Sequence, residues 1–288
     1  LGPGPCRLEQ ARDGTLYIDA VDALPLDLQQ QLLQRLGEEG ARAPRLLLSA
    51  GQDASQLSAA RLLLPDLGAA WTLASGGIGE LVAVPTETVY GLAADAENPR
   101  AVARIFEAKQ RPRNHPLIVH LASAAELRRW AKTVPPWVDA VVDRFWPGPL
   151  TLVLDKHPRV SDVITGGLPT IGLRSPDHPV LLTLLQRFRL ALAAPSANPY
   201  QKLSPTTAEQ VMSGLGGKIA AVLDGGPCAQ GTESTILRVH RQRGEILRSG
   251  PISAAELQSC LPFPVHTPER HAQAVSGNKR VHYRPDAS

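Results

Sequence analysis

The chain has 288 residues, 43% hydrophobic and 20% charged, with a formal net charge of +3, enough for one full core and a smaller appendage in an ordinary soluble globular protein. A pI of about 8.9 suits a polyanionic ligand such as a nucleotide. The charge is too mild to argue for nucleic acid, and aromatics at 4% supply no set of base-stacking platforms. Cys6, Cys228 and Cys260 are odd in number, far apart and outside any C-x-x-C spacing, which excludes a disulfide framework or structural zinc site and fits a reduced, cytoplasmic setting; no apolar run is long enough to span a bilayer, and no signal peptide is visible.

In chain order three regions separate: 1–77, rich in Leu, Gln and Ala; 78–263, where strand-like and helix-like segments alternate; and 264–288, a polar tail. The chain opens at Leu1 rather than Met, as a processed product, a fragment or a misplaced start would. In the first region Arg7-Leu8-Glu9-Gln10-Ala11, Gly14-Thr15-Leu16-Tyr17-Ile18-Asp19 and Leu24-Pro25-Leu26-Asp27-Leu28-Gln29 resemble the Walker-B segment of the AAA+ domain in sigma-54-dependent activators. Arg45 to Ala50 would be the following sensor strand. The phosphate-cradling G-x-x-x-x-G-K-[ST] loop is absent, and Ala20 stands where that family usually carries a glutamate. The segment therefore reads as a catalytically dead partial domain, or simply as a strand and an amphipathic helix over 26–36 packed on the main domain.

In the middle region the pattern predicts strands over 80–84, 116–120, 150–154, 170–173, 190–194, 220–223, 235–239 and 245–248. Helices are predicted over 99–109, 124–131, 136–145, 180–188 and 206–214, the last opened by Ser204-Pro205. This alternation indicates an α/β domain, and the shortness of the strands predicts a mixed sheet.

The motif Val84-Pro85-Thr86-Glu87-Thr88-Val89-Tyr90-Gly91-Leu92 reads as a buried strand ending in a polar loop, where open α/β sheets place their ligands. Lys109 and Arg111 close the helix before Pro112; by themselves they are cations suited to a helix C-terminus. Pro195-Ser196-Ala197-Asn198 follows an apolar strand, and no nucleophile elbow surrounds Ser196, so hydrogen bonding to phosphate suits it better than covalent catalysis. Arg174 lies just beyond a strand and His120 ends one. Asp224-Gly225-Gly226-Pro227 reads as a tight turn scaffolding Ser234 rather than as a phosphate loop.

With His115-Pro116-Leu117-Ile118-Val119-His120, Ser204-Pro205-Thr206 and Glu233-Ser234-Thr235-Ile236 added, these motifs in this order resemble the YrdC/Sua5 family, the threonylcarbamoyl-AMP synthases, over roughly residues 74–252. The resemblance implies a YrdC-like twisted mixed sheet flanked by helices around an open cavity, with a small α/β N-terminal extension. It implies that Lys109, Arg111, Ser196 and Asn198 form the catalytic signature, and that Arg111, His115, Thr170, Ala194, Ser196, Ser204 and Arg248 line an ATP site. Family members often carry Asn where His115 stands. By the same resemblance Thr88, His120, Arg174 and Ser234 bind L-threonine, with Arg174 taking its carboxylate in a charge-assisted pair. Ser276-Gly277-Asn278, His282-Tyr283 and Pro285 resemble the linker of the long Sua5 form, in which the histidine approaches the nucleotide; the chain then ends without that form's C-terminal domain.

The implied reaction joins L-threonine, bicarbonate and ATP into L-threonylcarbamoyl-AMP and pyrophosphate for t6A modification of tRNA, completed by a separate transferase. Mg²⁺ would arrive with ATP, since no cage of carboxylates is visible and no dedicated metal site is expected. Direct contact with tRNA is compatible with the mild positive charge, and no membrane partner is expected. Three alternatives stand beside this. One is the related module of hydrogenase-maturation proteins, whose acylphosphatase segment and paired-cysteine zinc motifs are absent here. Another is a non-catalytic RNA-binding YrdC-like module. The third is a regulatory ATPase seated in the N-terminal region.

Overall fold

The structure, a computed structural model, describes residues 81–268 apart from 220 and 241, together with the backbone of 15–18 and 45–49. The helix expected over 26–36, the rest of the N-terminal segment and the tail residue His282 lie outside the described residues.

Among those residues the strands are β1 (Thr15–Ile18), β2 (Arg45–Ser49), β3 (Val82–Val84), β4 (Gly91–Asp95), β5 (Ile118–His120), β6 (Leu150–Asp155), β7 (Thr170–Arg174), β8 (Leu192–Ala193), β9 (Ala221–Asp224), β10 (Thr235–His240), β11 (Arg243–Arg248) and β12 (Val265–His266). The helices are α1 (Pro99–Lys109), α2 (Leu127–Trp130), α3 (Trp137–Phe145), α4 (Asp162–Thr165), α5 (Pro179–Phe188), α6 (Ala208–Leu215) and α7 (Ala254–Gln258). The strands form one sheet in the order β1-β2-β9-β3-β4-β8-β5-β7-β6-β10-β11-β12. The sheet is mixed, as expected: β5 and β7 are parallel, while β6 runs antiparallel to β7 and β8 antiparallel to both β4 and β5.

Strand alternation sends side chains to two faces, and the two faces are finished differently. On the first, Leu92, Ala94, Val119, Leu152, Leu154, Ile171, Leu173, Leu237 and Ile246 join the main core with α1 and α3. Helix α1 shows why: Asn98 caps it by accepting from the Arg100 and Ala101 N–H groups, Pro99 occupies its first turn, and Ala101, Val102, Ile105, Phe106 and Lys109 form its buried stripe. Gln110, at φ 54°, ends it in the left-handed region. On the second face α5 covers only one part, packing Leu181, Leu184 and Leu185 on Val84, Ala93, Leu192 and Ala194. Farther along, that face carries a small apolar cluster of Ile118, Val153, Ile236 and Leu247. The site lies between these two clusters.

Several elements depart from the sequence-based expectation. Strand β4 was not expected, because Gly-Leu-Ala-Ala-Asp has no β-branched residue; pairing with β3 and β8 decides its conformation. The strand expected over 190–194 shrinks to the two residues of β8, and the helix expected over 124–131 splits into a 3₁₀ turn (Ala124–Glu126) and α2. The short α4, α7 and β12 were also not anticipated; α7 opens with a complete capping box between Ser253 and Glu256. β12 pairs with β11 inside the segment expected to be a polar tail.

Candidate active site

A cavity of about 340 Å³ opens on the second face of the sheet. Its first wall is the loop after β3. There the Thr86 hydroxyl donates to the Val89 carbonyl (2.6 Å) and accepts from the Thr88 and Val89 N–H groups (both 3.1 Å). This side-chain-closed turn sets Thr88 facing the cavity. The loop is laced to its neighbours: Gln230 N–H donates to the Glu87 carbonyl at 2.9 Å and Gly231 N–H to the Thr88 carbonyl at 3.1 Å. The Tyr90 hydroxyl donates to Asp224 Oδ1 (3.1 Å) and the Gly226 carbonyl (2.8 Å), tying down the 224–227 turn. Burial and the Asp224 carboxylate push the Tyr90 pKa well above its ordinary value, so it stays a neutral donor. Gly91 then passes close to the opposite wall; a Cβ there would meet that of Ala194 at 3.2 Å.

Arg174 ends β7 and is 4% exposed. Its Nη2 contacts Glu87 Oε1 at 2.5 Å, its Nε donates to the Gly148 carbonyl at 3.2 Å, and the second Glu87 oxygen accepts from Asp177 N–H at 3.0 Å. Those bonds occupy Nε and Nη2 and leave Nη1 for a ligand in the cavity that Arg174 lines. Burial pulls the Arg174 pKa down and Glu87 opposes the shift. Beside it, His120 is buried at the end of β5, with Nδ1 lacking a hydrogen-bond partner. Burial, reinforced by the Arg174 charge, pulls its pKa down to about 3, so the imidazole is neutral at working pH.

The far wall comes from β10 and β11. A bulge between them sets Leu237 opposite Ile246 but Ile236 opposite Arg248. Strict alternation would send Arg248 to the same face as Ile246; the bulge re-aims it into the cavity. Arg248 Nε and Nη2 donate to the Ser234 carbonyl (3.0 Å) and hydroxyl (2.9 Å), and Nη1 pairs with Glu233. The Ser204 hydroxyl donates to the same Glu233 carboxylate at 2.8 Å, and the Ser234 hydroxyl also shares a 2.8 Å bond with Thr151.

The structure thus brings Thr88, His120, Arg174, Ala194, Ser196, Ser234 and Arg248 to one cavity. The other expected residues sit around it. Lys109 is 1% exposed, and its Nζ is bound to the Ser196 and Asn198 carbonyls and lies 3.4 Å from Asn198 Oδ1. Asn198 Nδ2 donates to the Pro199 (2.9 Å) and Lys202 (2.7 Å) carbonyls. Both therefore hold the loop carrying Ser196, and neither lines the cavity. Burial, with the Arg111 charge, pushes the Lys109 pKa well down, against Glu233; yet the three oxygens around Nζ call for all three ammonium protons. Arg111 Nη2 donates to the Pro116 carbonyl at 3.0 Å, and His115 meets Tyr200 edge-on with ring centroids 5.4 Å apart. Thr170 starts β7, four residues from Arg174, and does not line the cavity.

Two carboxylates were missed as site residues. Glu87 and Glu233 each neutralise an arginine of the cavity. Each stands in a quoted motif as its sole acidic residue among hydroxyls, which was the available signal. Among the described residues, no helix is long and apolar enough to cross a membrane.

The Sua5/YciO/YrdC family model, described as "Telomere recombination", matches residues 77–250. A sigma-54 interaction domain model matches residues 3–44. The threonylcarbamoyl-AMP synthase of Bacillus subtilis (strain 168) is 43% identical over 214 residues, covering 72% of this chain and 62% of its own length. That of Pyrococcus abyssi (strain GE5 / Orsay) is 44% identical over 215 residues, covering 73% and 63%. The crystal structure of P. abyssi Sua5 complexed with L-threonine aligns with a TM-score of 0.70 at 42% identity, over 76% of this chain and 67% of that one. The twisted mixed sheet with flanking helices is therefore the fold of these relatives. The chain spans a little over three fifths of the length of the two curated synthases, 62% and 63%.

Proposed function

Because this chain belongs to the Sua5/YciO/YrdC family, we propose that it is a nucleotidyltransferase converting L-threonine, bicarbonate and ATP into L-threonylcarbamoyladenylate, pyrophosphate and water. The observation that carries the reading is buried Arg174, with one guanidinium nitrogen available to a cavity that Thr88, His120 and Ser234 also line. That donor set fits the carboxylate and hydroxyl of a small hydroxy amino acid, and the P. abyssi relative was crystallised with L-threonine.

In this reading the threonine carboxylate takes Arg174 Nη1. The amine, whose pKa is near roughly 7.7–8.0 in an α-amino group, loses its proton to solvent and captures the carbon of bicarbonate or carbon dioxide. A strong base is not needed, and His120, with its pKa pulled down to about 3, is unsuited to be one. The carbamate oxygen then attacks the α-phosphorus and pyrophosphate leaves. Ser196 faces the reacting groups because Lys109 and Asn198 fix its loop; Arg248, its charge balanced by Glu233, fixes Ser234 at the cavity wall. Glu233 is the one carboxylate lining the cavity among the described residues, which suits a Mg²⁺ held by the triphosphate rather than by a protein cage. Such an ion would neutralise charge on the leaving pyrophosphate. The product would pass to a t6A transferase acting on tRNA in the cytoplasm.

The test is pyrophosphate release from ATP and bicarbonate, with and without L-threonine, for wild type and Arg174→Ala. Threonine-dependent release that falls at least a hundredfold in the variant is expected. Release indifferent to threonine, or an undiminished variant, would remove the reading; an inert protein that binds RNA would instead favour a non-catalytic binding module.

A further inference from the structure

The cavity is charge-balanced before any ligand arrives. Arg174 and Glu87 are a buried pair with side chains 5% and 7% exposed, and Arg248 with Glu233 is a second pair at 10% and 12%. His120 adds no charge. Near Glu87 stand Arg174, the Asp177 backbone N–H that it accepts from, and His178 and Cys228. Burial holds both of the last two in their neutral forms, the Cys228 thiol at about 11.

Net charge in such a place is costly, so the ligand's own net charge matters as much as its contacts. A free α-amino acid is a zwitterion; its carboxylate can share Arg174 while its ammonium restores neutrality. A plain carboxylic acid of the same shape would leave a buried excess negative charge. Resting on the amino-acid reading above, we propose that Glu87 is a specificity-determining residue, the fixed counter-charge that makes the Arg174 end of the cavity select zwitterionic amino acids over simple carboxylates. Glu87 does this from beneath Arg174 rather than by touching the amine. Without its charge, Arg174 is an uncompensated cation, for which a simple carboxylate is the better neutralising partner and a zwitterion the poorer one.

The experiment is titration calorimetry of the full chain with L-threonine and with (R)-3-hydroxybutyrate, the same carbon skeleton without the amine. Wild type is expected to prefer threonine, and Glu87→Gln, nearly isosteric, to shift the ratio of the two dissociation constants at least tenfold towards hydroxybutyrate. A folded variant whose ratio stays within twofold of wild type overturns the proposal. Wild-type protein gives an answer even if the variant does not fold. Repeated at pH 6 in two buffers of different ionisation enthalpy, hydroxybutyrate binding should take up more protons than threonine binding, because the pocket must neutralise the extra charge. Equal uptake overturns the proposal as well. Binding of hydroxybutyrate but not threonine, or of neither, overturns the amino-acid reading and this inference together, whereas threonine binding with an unchanged ratio removes only the role of Glu87.

Discussion

Lys109 offers the sharpest test of how this site is held, because two accounts of it predict different losses. If its ammonium were a phosphate ligand, removing it would weaken nucleotide binding and leave the fold alone. In the structure the ammonium instead staples the end of α1 to the Ser196–Asn198 loop through two backbone carbonyls, with Asn198 Oδ1 also near. Lys109→Met keeps the buried alkyl chain and orphans those acceptors. A buried acceptor left unmade costs about 1–3 kcal/mol. The Ser196 carbonyl is only partly buried and can rehydrate, which leaves two full penalties of about 2–6 kcal/mol; relief of the ammonium's own desolvation offsets part. The expected loss is about 3 kcal/mol, or roughly 6–12 °C in Tm for a domain of this size. Urea unfolding and melting of wild type and variant measure it, alongside KM for ATP and kcat. A stability change under about 0.5 kcal/mol, with a large rise in KM for ATP, would refute the staple and restore direct phosphate contact.

Two further outcomes follow from the same geometry. His120 has its folded pKa pulled below the unfolded value of about 6.5, so the unfolded chain binds the proton first; its contribution is complete above about pH 6.5 and falls by about 1.4 kcal/mol per unit below it. His120→Gln should flatten that part of the stability–pH curve between pH 6.5 and 5, and an unchanged slope by denaturant titration would show the imidazole protonates when folded. Gly172 lies between Thr170 and Arg174 on the cavity face of β7, where an added Cβ would touch Ile118 Cγ1 and Thr151 Cγ2 at 3.4 Å, close to ordinary contact. Gly172→Ala should hold or raise Tm, since alanine orders more cheaply than glycine by about 0.5–1 kcal/mol; a destabilised variant in thermal melting would contradict this.

What could be read from the sequence followed local chemistry. Helix α1 was placed to the residue because Asn98-Pro99, a clear apolar stripe and Pro112 all mark it. Arg174, His120, Thr88 and Ser234 could be read as neighbours only through the family resemblance; local chemistry by itself placed His120 and Arg174 at strand ends and Thr88 in the loop after one. What escaped is long-range. The two Glu–Arg pairs join residues 87 positions apart for Glu87 and Arg174 and 15 apart for Glu233 and Arg248, and no local pattern marks such a pair. Whether Lys109 faces phosphate or its own loop likewise depends on a loop 87 residues away. The alternation of β11 argues against Arg248 reaching the cavity; only the register shift with β10 turns it inward. Strand β4 is decided by its two neighbours rather than by its small residues.

Parallel pairing of β5 with β7 gives the site its scale. Ile118 lies opposite Gly172 and His120 opposite Arg174, so continuing the register two residues back brings Pro116 level with Thr170. The residues expected to hold an amino acid gather at the carboxyl ends of these strands. Arg111, bound to the Pro116 carbonyl, and Thr170 stand at their amino ends. Four residues of strand separate the two levels, about 13 Å at ~3.3 Å each. That is too far for one small ligand to touch both. The residue midway along β7 is Gly172, where a side chain would meet Ile118 and Thr151. Ser196 reaches the cavity from the opposite wall, close to Gly91. Holding that loop with an ammonium buried outside the cavity fixes Ser196 at the cavity wall.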